Sequence, residues 1–90
     1  MRVTKACEAI DKGCCLELYY GRHTRFVEPH AVGYGPYGEP ALLAWDGSDA
    51  PGGWLFVTLE DPREIIVSGY FREAPRPGFL RDDPRFAGII

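Results

Sequence analysis

Three cysteines in 90 residues are too few to staple a secreted mini-protein. They stand at Cys7, Cys14 and Cys15, an odd set whose adjacent pair is poorly placed to bond each other. The expectation is therefore a reducing, cytoplasmic environment. No apolar run at the start reads as a signal peptide, and no stretch reaches the roughly 20 apolar residues that a membrane-spanning helix needs. Histidine is scarce as well. His23 and His30 make no pair with the spacing of a structural zinc site, and no C-x-x-C is present. G-x-S-x-G, H-E-x-x-H and any carboxylate pair with its own motif are also missing. Neither an enzyme nor a bound cofactor or metal is expected, and buried apolar cysteine is the default reading of the thiols. Excess positive charge is absent too, because the net charge is −3, which gives no global attraction to nucleic acid. The chain shows no internal repeat and no low-complexity stretch.

Turn formers and aromatic residues are plentiful. Eleven Gly and eight Pro in a chain of single-domain length favour short strands over long helices. Twelve aromatic residues compensate for a small core, since each can bury roughly 150–250 Å². Charge is uneven. Residues 39–69 hold six acids (Glu39, Asp46, Asp49, Glu60, Asp61 and Glu64) against Arg63 alone, which leaves room for a local basic site on the first half or the tail.

Val3, Ala6, Cys7 and Ile10 fall at i, i+3, i+4 and i+7, which predicts a helix over about 4–12. Thr4 is its expected N-cap, Glu8 and Lys12 an i,i+4 pair, and Gly13 the residue that ends it. In residues 14–20, Leu16, Leu18 and Tyr20 alternate with Cys15, Glu17 and Tyr19, the period of a half-buried strand. Residues 24–32 form a second strand in which Pro29 demands an edge or a bulge. Residues 40–45, 54–59 and 64–68 supply three more, separated by turn chemistry at 46–53 and at Asp61-Pro62. The fold expected is mainly β: an N-terminal helix, a five-stranded SH3-like or Sm-like small closed barrel over about 14–70, and an irregular tail over about 72–90 held by Phe79, Leu80 and Phe86.

Three motifs need weighing. Gly33-Tyr34-Gly35-Pro36-Tyr37-Gly38 spells the dinucleotide fingerprint, but a strand follows it where the fingerprint requires a helix, so it reads as a hairpin loop. Trp45 and Trp54 read as wall or core residues. The suggestive cluster is Tyr19, Tyr20, Arg22, His23, Arg25 and His30, which interleaves aromatic and cationic groups over one hairpin, the composition of surfaces that hold phosphates by charge and bases by stacking. The bland reading of the same residues is a solvated turn with Tyr20 in the core.

The order of elements resembles a known family. A helix carrying Ala6, Ala9 and Ile10 precedes a strand ending in Leu18-Tyr19-Tyr20; then come Arg25-Phe26-Val27-Glu28-Pro29-His30, a glycine turn, Leu42-Leu43-Ala44-Trp45-Asp46, and Phe56-Val57-Thr58-Leu59-Glu60-Asp61. Over about residues 3–70 this is similar to the WYL domain, a small barrel found mainly in bacterial transcription regulators. The family's naming triplet falls at Pro40-Ala41-Leu42, where only the leucine is kept. The resemblance implies a non-catalytic ligand-sensing module that binds a nucleotide or single-stranded nucleic acid, with Arg25 and His30 on or near its ligand face and Tyr20 as its strand-ending tyrosine. Taken with the aromatic–cationic hairpin, the expected ligand-binding residues are Tyr20, Arg22, Arg25 and His30, with Arg63, set off from the family's position by Pro62, as a further candidate. The alternative expectation is a protein-interaction module, engaging a protein partner or a second copy through an exposed barrel edge or the acidic face.

Overall fold

A computed structural model describes residues 1–47, 52–71 and 85–89. The chain runs α1 (Arg2–Lys12), β1 (Cys14–Tyr19), β2 (Thr24–Tyr34), β3 (Pro40–Asp46), β4 (Gly53–Thr58), β5 (Glu64–Phe71) and β6 (Gly88–Ile89). All pairings are antiparallel, in the order β4-β3-β2-β1-β5, with β6 paired to β2 beyond the end of β1. No helix among the described residues is long and apolar enough to cross a membrane.

α1 begins two residues earlier than the sequence pattern indicates, so Thr4 lies inside the first turn rather than capping it. The start is fixed instead by Lys5 N–H donating to the Met1 carbonyl at 3.0 Å and by the Arg2 side chain. Gly13 ends the helix in the left-handed region (φ 69°), where its N–H reaches the carbonyls of Ala9 and Ile10. Glu8 and Lys12 pair at 3.2 Å on the exposed side. Ala6 and Ala9 are fully buried, while Val3, Cys7 and Ile10 pack at the margin, so the small residues let the helix approach the sheet closely.

One sheet face packs against α1. Leu16 and Leu18 of β1, Val27 and Val32 of β2, Leu42 and Ala44 of β3, Val57 of β4 and Ile65 of β5 form this core with Leu59. A fully buried leucine or isoleucine of this kind contributes about 1.5–3 kcal/mol. Val27 and Val32 are five positions apart, which a regular strand would send to opposite faces. The bulge between Pro29 and Ala31 inserts one residue and restores the parity, so both valines face inward. Pro29 is thereby accommodated inside a central strand, at a bulge.

The sheet is open, in contrast to the closed barrel expected from the strand count. β4 and β5 are its two edges, joined only by the short connection 59–63. Helix side chains hold that connection and the start of β5. Arg2 donates to the carbonyls of Leu59 (2.7 Å), Pro62 and Arg63 (2.9 Å), and Lys5 donates to Ile65 at 3.1 Å. Backbone acceptors along the connection and the start of β5 are thus taken by helix side chains, an effective way to blunt a sheet edge.

The irregular tail is also corrected in part, because Gly88–Ile89 adds a short strand to β2. Phe86 does anchor that segment, edge-on to Phe56 at 4.9 Å between ring centres. Phe79, Leu80 and most of the loop between β3 and β4 lie outside the described residues. Gly35–Gly38 forms the β2–β3 hairpin turn, with Gly35 N–H donating to Glu39 at 2.7 Å, so the fingerprint-like motif is a turn.

Candidate functional site

The leucines of β1 are pinned inward, which carries the next residue of that parity, Tyr20, to the rim of the core at the end of the strand. Tyr20 N–H donates to the His23 carbonyl at 2.9 Å and closes the β1–β2 turn. The two rings then stack, with centroids 5.0 Å apart and planes inclined by 18°. Arg22 sits exposed in that turn. Arg63 N–H donates to the Tyr19 carbonyl at 2.7 Å, so the β4–β5 connection is tied against the end of β1. Between the two turns lies an open depression of roughly 370 Å³ lined by Tyr19, Tyr20, Arg63 and Glu64.

Beneath Tyr20, Arg25 of β2 is paired with Asp46 of β3 at 2.6 Å. The Asp46 side chain is 9% exposed and that of Arg25 36%. Burial raises the Tyr20 phenol above its ordinary value; Arg25 pulls it back down, and Asp61 and Asp46 push it up again. On the other face of β1, the Tyr19 hydroxyl donates to the Glu17 carboxylate. That hydrogen bond raises the Tyr19 phenol, aided by desolvation and by the charges of Glu17 and Glu64. At or next to the depression stand the cations Arg22, Arg25 and Arg63 and the acids Glu17, Asp46, Asp61 and Glu64. An extended polyanion gains nothing from a field in which acids outnumber cations, whereas a small ligand that needs one positioned guanidinium and a stacking surface finds both here.

The five residues singled out from the sequence divide. Tyr20, Arg25 and Arg63 meet at this end of the sheet, and Arg22 stands at the adjoining turn. His30 does not join them. It is the extra residue of the β2 bulge, buried on the opposite sheet face, where its ring meets Trp54 edge-on at 4.8 Å and its Nδ1–H donates to the Glu28 carbonyl at 2.7 Å. Trp54 in turn meets Trp45 edge-on at 5.4 Å, across the β3–β4 ladder. His30 and the tryptophans therefore pack together on that face, where Trp45 and Trp54 are half-buried rather than part of the core or of a barrel wall. Asp46 was missed by sequence reasoning. The available signal was its parity: Leu42, Ala44 and Asp46 share one face of β3, which sends an acid toward the core and requires a cation opposite it.

Cys14 is buried, Cys7 and Cys15 are half-buried, and none of the three is in a disulfide. Among the described residues no three His, Cys, Asp or Glu side chains gather as metal ligands would. No protein-family model matches the chain, and neither a curated protein nor a solved structure matches it.

Proposed function

We propose that the chain is a non-catalytic ligand-binding regulatory module of WYL-like type, and that its ligand is a nucleotide held in the depression at the β1–β2 and β4–β5 turns. In this reading the open sheet with α1 against one face is an opened relative of the Sm-like barrel. Arg63 and Arg22 contact phosphate, and the Tyr20–His23 pair offers the stacking surface. Arg25 supports Tyr20 from below, because its charge is already engaged by Asp46. The observation that carries the reading is the meeting of Tyr19, Tyr20 and Arg63 around one open depression of roughly 370 Å³, within the range that holds small ligands. The excess of acids around the depression favours a mononucleotide or cyclic dinucleotide over a long single strand. Three cysteines outside any disulfide fit a cytoplasmic setting.

The test is a titration of the full chain with mononucleotides, cyclic dinucleotides and a short single-stranded oligonucleotide, read by thermal shift. Arg63→Ala removes a charge-assisted contact worth about 1.5–3 kcal/mol, so affinity falls roughly 10- to 100-fold. Equal affinity in the wild type, Arg63→Ala and Tyr20→Leu overturns the assignment.

A second reading, a protein-interaction module, has its own support. Phe26, Ile66 and Tyr70 are exposed on the outer sheet face beside edge strand β5, with Phe26 and Tyr70 meeting edge-on at 6.3 Å. The acidic segment 39–69 gives such a module a basic partner to prefer. Pull-down with the Tyr70→Ser chain as control tests it: a partner held equally by both chains argues against this face.

A further inference from the structure

The segment Arg85–Ile89 occupies a seat built entirely by other strands. Gly33 and Tyr34 of β2 provide the edge, pairing with Ile89 and Gly88, and Ala87 N–H donates to the Tyr34 carbonyl at 2.7 Å. Phe56 of β4 provides the wall: Phe86 meets it edge-on at 4.9 Å and the Arg85 guanidinium lies 5.0 Å over its ring. The fit is close. A methyl group on Gly33 would overlap the Gly88 carbonyl oxygen and come within 2.7 Å of the Phe86 ring. Glycine at position 33 is therefore explained by the segment lying on it, not by backbone conformation, since Gly33 is not among the positive-φ glycines. The seat itself belongs to the sheet and is complete without any covalent link to its occupant.

The link is long and the hold is short. Thirteen residues, 72–84, separate β5 from Arg85. Extended, that number of residues spans up to about 45 Å, more than the 29 × 28 × 24 Å extents of the molecule. A two-residue ladder with two ring contacts lies at the low-stability end of what folded chains contain, where local opening is frequent. An opened segment and an opened seat are complementary surfaces present in equal number on every copy of the chain.

We propose that this seat also accepts the Arg85–Ile89 segment of a second copy, so that two chains associate by exchanging the strand. The contacts made in trans are those made in cis, and exchange of an identical element is a low-cost route to association. The partner is fixed by the chemistry of the occupant: an arginine and a phenylalanine for Phe56, then a small residue and glycine whose backbone crosses Gly33. The proposal uses the β2 edge and Phe56, not the depression at the turns, so its failure leaves the ligand-binding reading intact.

Complementary full-length variants test it. Gly33→Ala blocks the seat and keeps the segment. Phe86→Ala with Ala87→Pro keeps the seat and spoils the segment, removing its ring contact and the N–H given to Tyr34. Each variant alone sediments at the 10.1 kDa of one chain, and an equimolar mixture at several hundred micromolar contains a species of twice that mass. A mixture that stays monomeric overturns the proposal. So does association of each variant alone as strong as that of the wild type, which locates the contact elsewhere. If Gly33→Ala loses its folded circular dichroism, Phe56→Ala replaces it as the seat-blocked partner and the same outcomes apply.

Discussion

Replacing Arg25 with alanine removes the guanidinium that lies 2.6 Å from a carboxylate whose side chain is only 9% exposed. Breaking a fully buried ion pair by deleting one partner costs about 3–5 kcal/mol, because the remaining charge stays in a poorly solvated place. Exposed pairs contribute about 0–1 kcal/mol. Arg25 is 36% exposed, so water reaches the vacated space and the cost falls between these limits, near 2 kcal/mol. In a domain of this size, about 2 kcal/mol lowers Tm by roughly 8–16 °C. Urea denaturation followed by the fluorescence of Trp45 and Trp54 measures the loss. A cycle with Asp46→Ala and the double variant isolates the pair, and a coupling energy of about 1–2 kcal/mol is expected. A loss below about 0.5 kcal/mol with no coupling would show that the pair behaves like a surface one. It would also refute the claim that Arg25 supports Tyr20 instead of waiting for ligand.

Two further outcomes follow from local geometry and charge. Gly13→Ala places a side chain in the left-handed region at φ 69° with no atom within 4 Å of the new carbon. The cost is therefore conformational alone, about 1 kcal/mol, read as a Tm decrease of roughly 4–8 °C. Tyr20 has its folded-state value raised, chiefly by burial. The stability this gives is present below the unfolded value near 10 and is lost as pH rises through the folded value. Alkaline titration of tyrosinate absorbance should lag in the native chain relative to the urea-unfolded chain, and Tyr20→Phe should shorten the lag; coincident curves for all three would contradict the assignment.

Much of the fold was legible because its signals are local. The alternation of Leu16 and Leu18 with Glu17 and Tyr19, the turn glycines and Pro29 each report a neighbourhood of a few residues, and each led to the right element. Openness of the sheet was not legible. Whether β4 and β5 meet is a long-range matter that no strand's own pattern reports, and nothing in a helix's own pattern announces that Arg2 and Lys5 reach carbonyls some sixty positions away. The candidate site shows the same division. Tyr20 and Arg25 were identifiable because they flank one hairpin. Arg63 is brought to them by long-range backbone contacts, its N–H donating to the Tyr19 carbonyl beside the Tyr19–Glu64 pairing, and Asp46 by strand pairing across β2. His30 lies apart from them for a comparable reason: the bulge at Pro29–Ala31 changes which face that stretch of strand presents, and only the pairing fixes where the extra residue goes.

The claim that a nucleotide sits between the β1–β2 and β4–β5 turns is tested most directly by two-dimensional amide NMR of the full chain titrated with adenosine and guanosine mononucleotides. The account predicts saturable shifts concentrated at residues 19–23 and 61–64, with residues 85–89 and the His30–Trp54 patch unmoved. Shifts that centre on His30 and Trp54, or spectra unchanged at millimolar nucleotide, would contradict it.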